Sequence, residues 1–512
     1  MTVQHGETTI PDLVARAAAD FGDREAVVDG AERLTFGDLA SRVRQAGRAM
    51  IAWGVRPGDR VALWAPNSAE WIVTALGAVS AGAVLVPLNT RLKAAEVGSI
   101  LRKSKTKLVA VSGEFLGVDY VAQMESLRAE LPDLETMTAF TDGGLPPVVS
   151  RRQFRAPGMK VPASAFDEAA ASVSTTSPGD LFFTSGTTGS PKGVLTTHGQ
   201  TTRAFHQWSE IVGLRAGDRY LIANPFSHTF GYKAGILACL MRGATMVPLA
   251  TFDAETLFET IERERITVFP AAPAVYQMML ADPGLAKHDL SSLRAAATGA
   301  AVIPVELIHR MRDTLGLETV VTAYGLTEAT GVVTMSRAGD DPETVARTSG
   351  RAIDGVEVRV AEDTKEILVR GYNVMPGYFE DEDATAEAVD ADGWLHTGDV
   401  GELDAAGNLR ITDRIKDMFI CGGFNAYPAE IEQVLLTYPG VREAAVIGVP
   451  DQRLGEVGKA FVIAAPGREP DPEALIEYAK ERLANYKVPK HVELVEAFPR
   501  SSLGKVLKRE LR

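Results

Sequence analysis

The sequence predicts an α/β protein. A large N-terminal domain contains two pseudo-repeated α/β subdomains plus a β region, and a small, mobile α+β C-terminal domain follows. Three observations predict this. The chain has 512 residues, and a single hydrophobic core stops growing near ~250–300 residues, so two or more domains are required. A stretch of strand–helix–strand texture occurs twice in the first half of the chain. After Arg351 the apolar runs become short and alternate with charges, as in antiparallel sheets, and a charged cluster then precedes a compact tail.

The repeat runs from "GVRPGDRVALWAP" (54–66) to "GAVLVPL" (82–88), and again from "GLRAGDRYLIANP" (213–225) to "GATMVPL" (243–249). In each copy a Gly-Asp turn opens an apolar run of strand length. Between the two strands of the first copy, Trp71, Ile72, Ala75, Leu76 and Val79 share one helical face; Ile236, Leu237, Leu240 and Met241 do so in the second. Each copy therefore reads as a βαβ unit with parallel strands and a right-handed crossover. Strand–helix alternation continues through "RITVFPAAP" (265–273) and "LRAAATGAAVIP" (293–304). "VEVRVAED" and "KEILVRG" read as antiparallel strands joined by a turn around Asp363, and "NLRITDRIKD" (408–417) ends a strand in charges. Beyond it come a helix in "PAEIEQVLLTYPGV", strands in "EAAVIGVPD" and "KAFVIAAPG", and a last helix in "PEALIEYAKERLA". The domains are placed at 1–413 and 414–512, with the joint in the charged cluster.

Bulk properties exclude several classes. The formal charge of −14 argues against a general nucleic-acid or anionic-membrane binder, while leaving room for a local cationic pocket. The two cysteines, Cys239 and Cys421, have neither zinc nor disulfide-framework spacing, which suits a reducing compartment. Residues 1–30 carry no secretory pattern, and the longest apolar stretch (74–88) is broken by Ser80, Gly82 and Pro87. It falls short of the ~20 residues of a membrane span. A cytoplasmic protein without integral membrane contact is expected.

Three stretches carry chemistry. "TSGTTGSPKG" (184–193) follows the strand-like "DLFF" and packs hydroxyls, glycines and Lys192 into one loop. Glycines let the backbone approach an anion, the N–H and O–H groups donate, and the lysine adds charge. Pro191 stands where a Walker A loop needs its second glycine, so the loop is not of that type. A flexible surface loop is the plain alternative. "TAYGLTEAT" (322–330) brings an aromatic ring, a hydroxyl and a carboxylate together, the parts of a nucleotide and Mg²⁺ site, although a buried tyrosine beside a loop has the same composition. "GWLHTGD" (393–399) ends in an aspartate suited to ribose hydroxyls, and His396 reads as structural. The closing "PRSSLGKVLKRELR" (499–512) reads by composition as a solvated basic tail.

Together these stretches resemble the adenylate-forming superfamily, which includes acyl-CoA synthetases, peptide-synthetase adenylation domains and beetle luciferases. The resemblance covers nearly the whole chain. It implies an ATP-dependent acid–thiol ligase that forms an acyl-adenylate, passes the acyl group to CoA, and releases AMP and pyrophosphate. It also implies the following roles. Thr184, Ser185, Gly186, Thr187, Thr188, Gly189 and Lys192 would hold the β- and γ-phosphates. Gly299, Ala300 and Ala301 of "TGAA", with Tyr324 and Gly325, would frame adenine. Thr327 would touch the α-phosphate, Glu328 and Thr187 would hold Mg²⁺, and Asp399 with Arg414 would bind ribose.

Lys416 would be the hinge of the small domain, and Lys505 would enter the site for adenylation and then swing away. Gly422, Gly423 and Phe424 would line the CoA tunnel; Phe424 stands where relatives often have Glu, and Ser501 where Thr is common. The acid pocket would involve His228, Phe230, Gly231, Tyr232, Ala323 and Gly331. His228 would position rather than catalyse, and Gly231, Ala301, Ala323 and Gly331, being small, would leave room for a bulky acid. Lys233 in the presumed wall reads as solvated, the alternative being a contact with a polar group on the substrate.

"NPFSHTFGYKAGILACL", "TAYGLTEATG" and "FICGGFNAYPAEIEQVL" are most similar to actinobacterial CoA ligases acting on the indane-propionate left by steroid ring degradation, with medium-chain or aromatic acids as the alternative. The partners implied are a carboxylic acid, ATP and CoA; a homodimer is left open. A stand-alone adenylation enzyme loading a carrier protein is a further alternative, whereas a peptide-synthetase adenylation domain is disfavoured by the lack of an obvious aspartate for an α-amino group around 226–231. Luciferase-like oxidation is disfavoured by the ending "RELR", which is not a peroxisomal signal.

Overall fold

The computed structural model describes residues 7–141, 148–184, 191–299, 303–414, 417–421, 424–451, 453–483, 485–500 and 506–511. Both predicted βαβ units are present and both are parallel. Strand Arg60–Trp64 lies beside Val84–Leu88, and Arg219–Ile222 beside Thr245–Pro248. The turns that open them match bond for bond. Asp59 accepts the Arg56 amide at 2.9 Å and Asp218 the Arg215 amide at 2.8 Å. The carbonyls of Asp59 and Asp218 receive the amides of Val84 and Thr245, and the amides of Gly58 and Gly217 donate to Gly82 and Gly243. Gly58 and Gly217 sit at φ +86° and +90°, where a side chain would be strained. The repeated Gly-Asp-Arg is thus a turn that caps itself and sets the register of the strand that follows.

The first unit belongs to a seven-stranded sheet ordered Gly377–Tyr378, Lys192–Thr197, Pro178–Thr184, Val84–Leu88, Arg60–Trp64, Thr106–Val111, Thr136–Ala139. The second unit pairs with Glu25–Asp29 and continues toward Ala295–Gly299 and Thr319–Tyr324. The link is the segment 267–271 of "RITVFPAAP": Val268 bridges Tyr220 on one side and Ala295 on the other, and the amides of Phe269 and Ala271 donate to the carbonyls of Ala295 and Ala297. A full strand was expected there, but Pro270 and Pro273 limit the ladder bonds this segment can make.

Helix Ala69–Ser80 was expected to bury one face. It buries every residue except Glu70, because it belongs to a core cluster that draws on both subdomains. Glu70 accepts from Arg155 at 2.6 and 2.8 Å, and burial raises its pKa against the pull of that guanidinium. The second crossover is segmented into Thr229–Gly231, a π-helical stretch Tyr232–Leu237 and Ala238–Arg242.

The β region is a four-stranded antiparallel sheet, Val356–Val360, Glu366–Gly371, Leu395–Leu403 and Leu409–Arg414. The C-terminal sheet follows, with Val441–Asp451 antiparallel to Gly455–Ala464 and helices Pro428–Leu436 and Pro472–Lys480 contributing to its core. The two apolar clusters of this unit draw only on residues from Phe419 onward. The architecture is α/β, with a large N-terminal and a smaller C-terminal domain.

Candidate active site

The site is assembled at the ends of strands from both large sheets. Pro178–Thr184 and Lys192–Thr197 form an antiparallel hairpin in which Thr184 faces Lys192. Ser185, Gly186, Thr187, Thr188 and Gly189 lie outside the described residues. Lys103 Nζ donates to the Pro191 carbonyl at 3.0 Å, fixing the chain where it re-enters the strand.

Glu328 sits opposite this hairpin on the turn Thr327–Ala329. Its Oε1 accepts from Thr184 Oγ1 at 3.4 Å and from the Tyr378 hydroxyl at 3.1 Å. Tyr378 is delivered by the edge strand Gly377–Tyr378, which pairs with Val194 and Leu195. Lys192 Nζ lies 5.0 Å above the Tyr378 ring, a cation–π distance. Burial, aided by the Glu328 charge, holds the Tyr378 phenol well above its usual pKa, so it stays a donor. Buried Asn373 ties the two segments together: Thr330 Oγ1 donates to its carbonyl at 2.7 Å, and its amide donates to the Val332 carbonyl at 2.9 Å. The Met375 amide donates to the Glu328 carbonyl at 2.8 Å. Neither Tyr378 nor Asn373 was singled out from sequence. "YNVMPGYFED" bears no charge pattern or loop chemistry that marks it; strand pairing alone brings Tyr378 to Lys192.

Ala295–Gly299 and Thr319–Tyr324 run parallel and end together, with Gly299 opposite Ala323. Carboxyl ends of parallel strands are where open α/β sheets bind ligands. A Cβ on Gly299 would come within 2.6 Å of the Ala323 carbonyl oxygen, so this edge demands glycine. Ala300 and Ala301 lie outside the described residues. The Tyr324 hydroxyl donates to Asp399 Oδ2 at 2.7 Å, pinning the ring expected to face adenine to the carboxylate expected to face ribose. Arg414 is Asp399's cross-strand partner in the backbone register.

The acid-side residues gather beside this edge. His228 caps the turn Thr229–Gly231, its Nδ1 accepting from the Phe230 amide at 3.1 Å. Burial lowers its pKa to about 4, so the ring is neutral at pH 7 and carries its proton on Nε2. That makes it a donor rather than a base. Phe230 packs edge-on to Trp208, with centroids 6.4 Å apart, and Tyr232 is fully buried beside Trp71 and Phe182. Gly331 abuts Thr229, and Gly325 abuts the Gly331 carbonyl, which joins the His228 segment to the Tyr324–Glu328 loop.

Two readings need correction. Gly231 does not supply room for substrate: a Cβ there would sit 2.1 Å from the Pro225 carbonyl oxygen, so close backbone approach requires the glycine. Lys233 is not solvated: it is fully buried and 3.0 Å from Asp180.

Lys416, Gly422, Gly423 and Lys505 lie outside the described residues, while Phe424 pairs through its backbone with Cys421. The flanks of Lys505 are anchored. Val506 bridges Arg500, the Leu507 amide donates to the Pro499 carbonyl, and Lys508 lies 2.7 Å from Glu432. The described residues on either side of it, 499–500 and 506–508, are thus tied into the small domain.

Among the described residues no group of three or more His, Cys, Asp or Glu could hold a metal by itself. Glu328 offers a single carboxylate. That suits Mg²⁺, which keeps several waters and shares its shell with substrate phosphates, and it does not suit a zinc-type cage.

The Thr184–Lys192 rung, the Tyr324–Asp399 pair at a parallel strand end and the Glu328 carboxylate are the described parts of this candidate site. The AMP-binding enzyme family matches residues 14–379, and the AMP-binding enzyme C-terminal domain matches 430–505. The chain belongs to the AMP-binding enzyme family and is an enzyme of the acyl-CoA synthetase class. Over 510 residues it is 51% identical to the 3-(7a-methyl-1,5-dioxo-octahydro-1H-inden-4-yl)propanoyl:CoA ligase of Rhodococcus jostii strain RHA1, covering 99% of this chain and 98% of that one. It is 49% identical to the Mycobacterium tuberculosis ligase of the same name, covering 98% of each chain. Among solved structures, anthranilate CoA ligase AuaEII in complex with anthranoyl-AMP matches with a TM-score of 0.87 at 28% identity, covering 99% of this chain and 97% of that one. ATP-bound MatB from Rhodopseudomonas palustris matches with a TM-score of 0.86 at 27% identity, covering 99% and 98%.

Proposed function

We propose that this enzyme joins a fused-ring indane propionate to CoA through an acyl-adenylate, cleaving ATP to AMP and pyrophosphate. The observation that carries the substrate class is the 51% identity over 510 residues to a ligase of that specificity. The site geometry supports the chemistry.

In the first step a carboxylate oxygen attacks the α-phosphorus and the bond to pyrophosphate breaks. In the second the CoA sulfur attacks the acyl carbonyl, its proton is lost to solvent, and AMP leaves. Two anions meet in the first step, so fixed cations and donors must neutralise them. Lys192, restrained over the Tyr378 ring, faces the phosphates with the hairpin loop. Glu328, oriented by Tyr378 and Thr184, would hold Mg²⁺. Bound there, Mg²⁺ supplies positive charge to the phosphate oxygens. Tyr324 stacks on adenine and Asp399 receives the ribose hydroxyls, with Thr327 at the α-phosphate. The attacking carboxylate needs no base, which agrees with a neutral His228 that donates and orients.

Lys505 completes the charge balance for adenylation. The unit from residue 414 onward, hinged at Lys416, then turns so that Gly422, Gly423 and Phe424 line the pantetheine path. No helix among the described residues is long and apolar enough to cross a membrane, and cytoplasmic ATP and CoA suit the reaction.

The test is a thioester-forming assay with ATP and CoA across indane-propionate, aromatic and straight-chain acids. The indane propionate should exceed the others in kcat/KM by about tenfold or more. An aromatic or straight-chain acid that matches it would overturn the substrate assignment.

A further inference from the structure

The strand that feeds the phosphate loop carries a fully buried ion pair which the mechanism above does not use. Asp180 and Lys233 are both inaccessible to solvent, with Nζ 3.0 Å from Oδ1. Lys233 Nζ also donates to Thr196 Oγ1 at 2.7 Å, and Thr196 Oγ1 donates to the same Asp180 oxygen at 2.6 Å. Asp180 and Thr196 are directly opposed in the hairpin register. One ammonium therefore grips both strands of the phosphate hairpin at a single rung, on the strand that ends at Thr184.

The origin of that ammonium matters. Lys233 is the second residue of the π-helical stretch Tyr232–Leu237, which continues directly from the turn capped by His228. The amides of Gly231 and Tyr232 both donate to the His228 carbonyl. The lysine thus ties the phosphate hairpin to the segment that presents the acid-side histidine. Single π-helical turns inside helices recur at functional sites.

Stability does not explain the pair. Removing two charges from water costs several kcal/mol per ion, and apolar side chains of similar volume often do as well or better. Asp180 Oδ2, moreover, has no hydrogen-bond partner among the described residues. What an apolar pair cannot supply is a fixed rung: methyl groups pack in many offsets, whereas one ammonium on two named oxygens permits one.

We propose that Asp180, Thr196 and Lys233 are positioning residues that lock the phosphate hairpin against the His228 segment, so that nucleotide and acid carboxylate meet at one separation. The proposal rests on the acid-activating reading of the site.

The test is the double variant Asp180→Leu/Lys233→Met, which removes both charges and strands neither. Four quantities are measured: Tm, kcat and KM in acid-dependent ATP–pyrophosphate exchange, and hydrogen exchange of amides 179–184 and 192–197. The expected result is a Tm within about 5 °C of wild type or higher, kcat lower by about tenfold or more, and faster exchange in the hairpin. A kcat within about twofold of wild type with unchanged hairpin protection would overturn it.

If the double variant does not fold, Thr196→Val and Thr196→Ser decide instead. Loss of kcat in the valine variant with recovery in the serine variant supports the proposal, and wild-type kcat in both overturns it. If wild-type enzyme shows exchange with no acid, the functional reading falls, while hairpin protection still decides this inference.

Discussion

Protonating His198 should loosen the amino-terminal helix from the body of the protein. Its ring is 1% exposed. Nδ1 accepts the amide of Ile10, the first residue of helix Ile10–Phe21, at 3.2 Å. Burial lowers its pKa from 6.5 to about 4, against a weaker opposing pull from Asp12. Between those values the unfolded chain binds a proton that the folded chain refuses. The stabilisation is therefore complete above about pH 6.5, is lost as pH falls, and levels off below about pH 4. From about pH 7.5 to about pH 5 the loss from this one group is about 2 kcal/mol.

His198→Asn isolates the effect, because its Oδ1 can stand where Nδ1 accepts but does not titrate. Urea unfolding followed by tryptophan fluorescence, with amide exchange at Ile10, Asp12 and Leu13 as a local check, gives the pH dependence of each protein. His228 titrates with the same sign in both and cancels in the comparison. The variant should be less sensitive to acid than wild type by about 2 kcal/mol. Equal pH dependence in the two proteins would refute burial of His198 as the cause.

Lys505→Ala should abolish adenylation while sparing thioester formation from preformed acyl-adenylate; equal loss of both half-reactions would contradict a lysine that acts only in the first. Gly231→Ala places a methyl 2.1 Å from the Pro225 carbonyl oxygen. It should cost about 1–3 kcal/mol in thermal or urea unfolding and raise KM for the acid. Tyr378→Phe removes a hydrogen bond to the Glu328 carboxylate. A bond of that kind contributes about 1.5–3 kcal/mol, so kcat/KM for ATP should fall by about tenfold or more, with KM for CoA unchanged.

Much of the fold was legible because its devices are local. The Gly-Asp turns of the two βαβ units close within four residues, so the same words gave the same hydrogen bonds in both copies. The antiparallel pairing of Val356–Val360 with Glu366–Gly371 followed from alternation and a short turn. Helix Ala69–Ser80 was legible as a helix but not in its burial: periodicity marks the favoured face and is silent about a second layer packing on the other. Within the closing "PRSSLGKVLKRELR", a basic tail by composition, a bridge and a backbone hydrogen bond join residues 499–500 to 506–507.

Of the candidate site, the sequence by itself marked the 184–193 loop, the Tyr324–Glu328 turn and Asp399, because each places particular residue types close together. Only the tertiary structure decided which of them touch. Tyr378 reaches Glu328 through an added edge strand, Asn373 holds the turn from a distant segment, and Lys233 finds Asp180 across two elements. A lysine in an apolar run looks solvated when no partner lies nearby in sequence, and a glycine there looks like spare room. Long-range packing reversed the first reading and a tight local turn the second: a buried charge survives where folding delivers its counter-ion, and a glycine is obligatory where the turn brings the Pro225 carbonyl, six residues back, against its α-carbon.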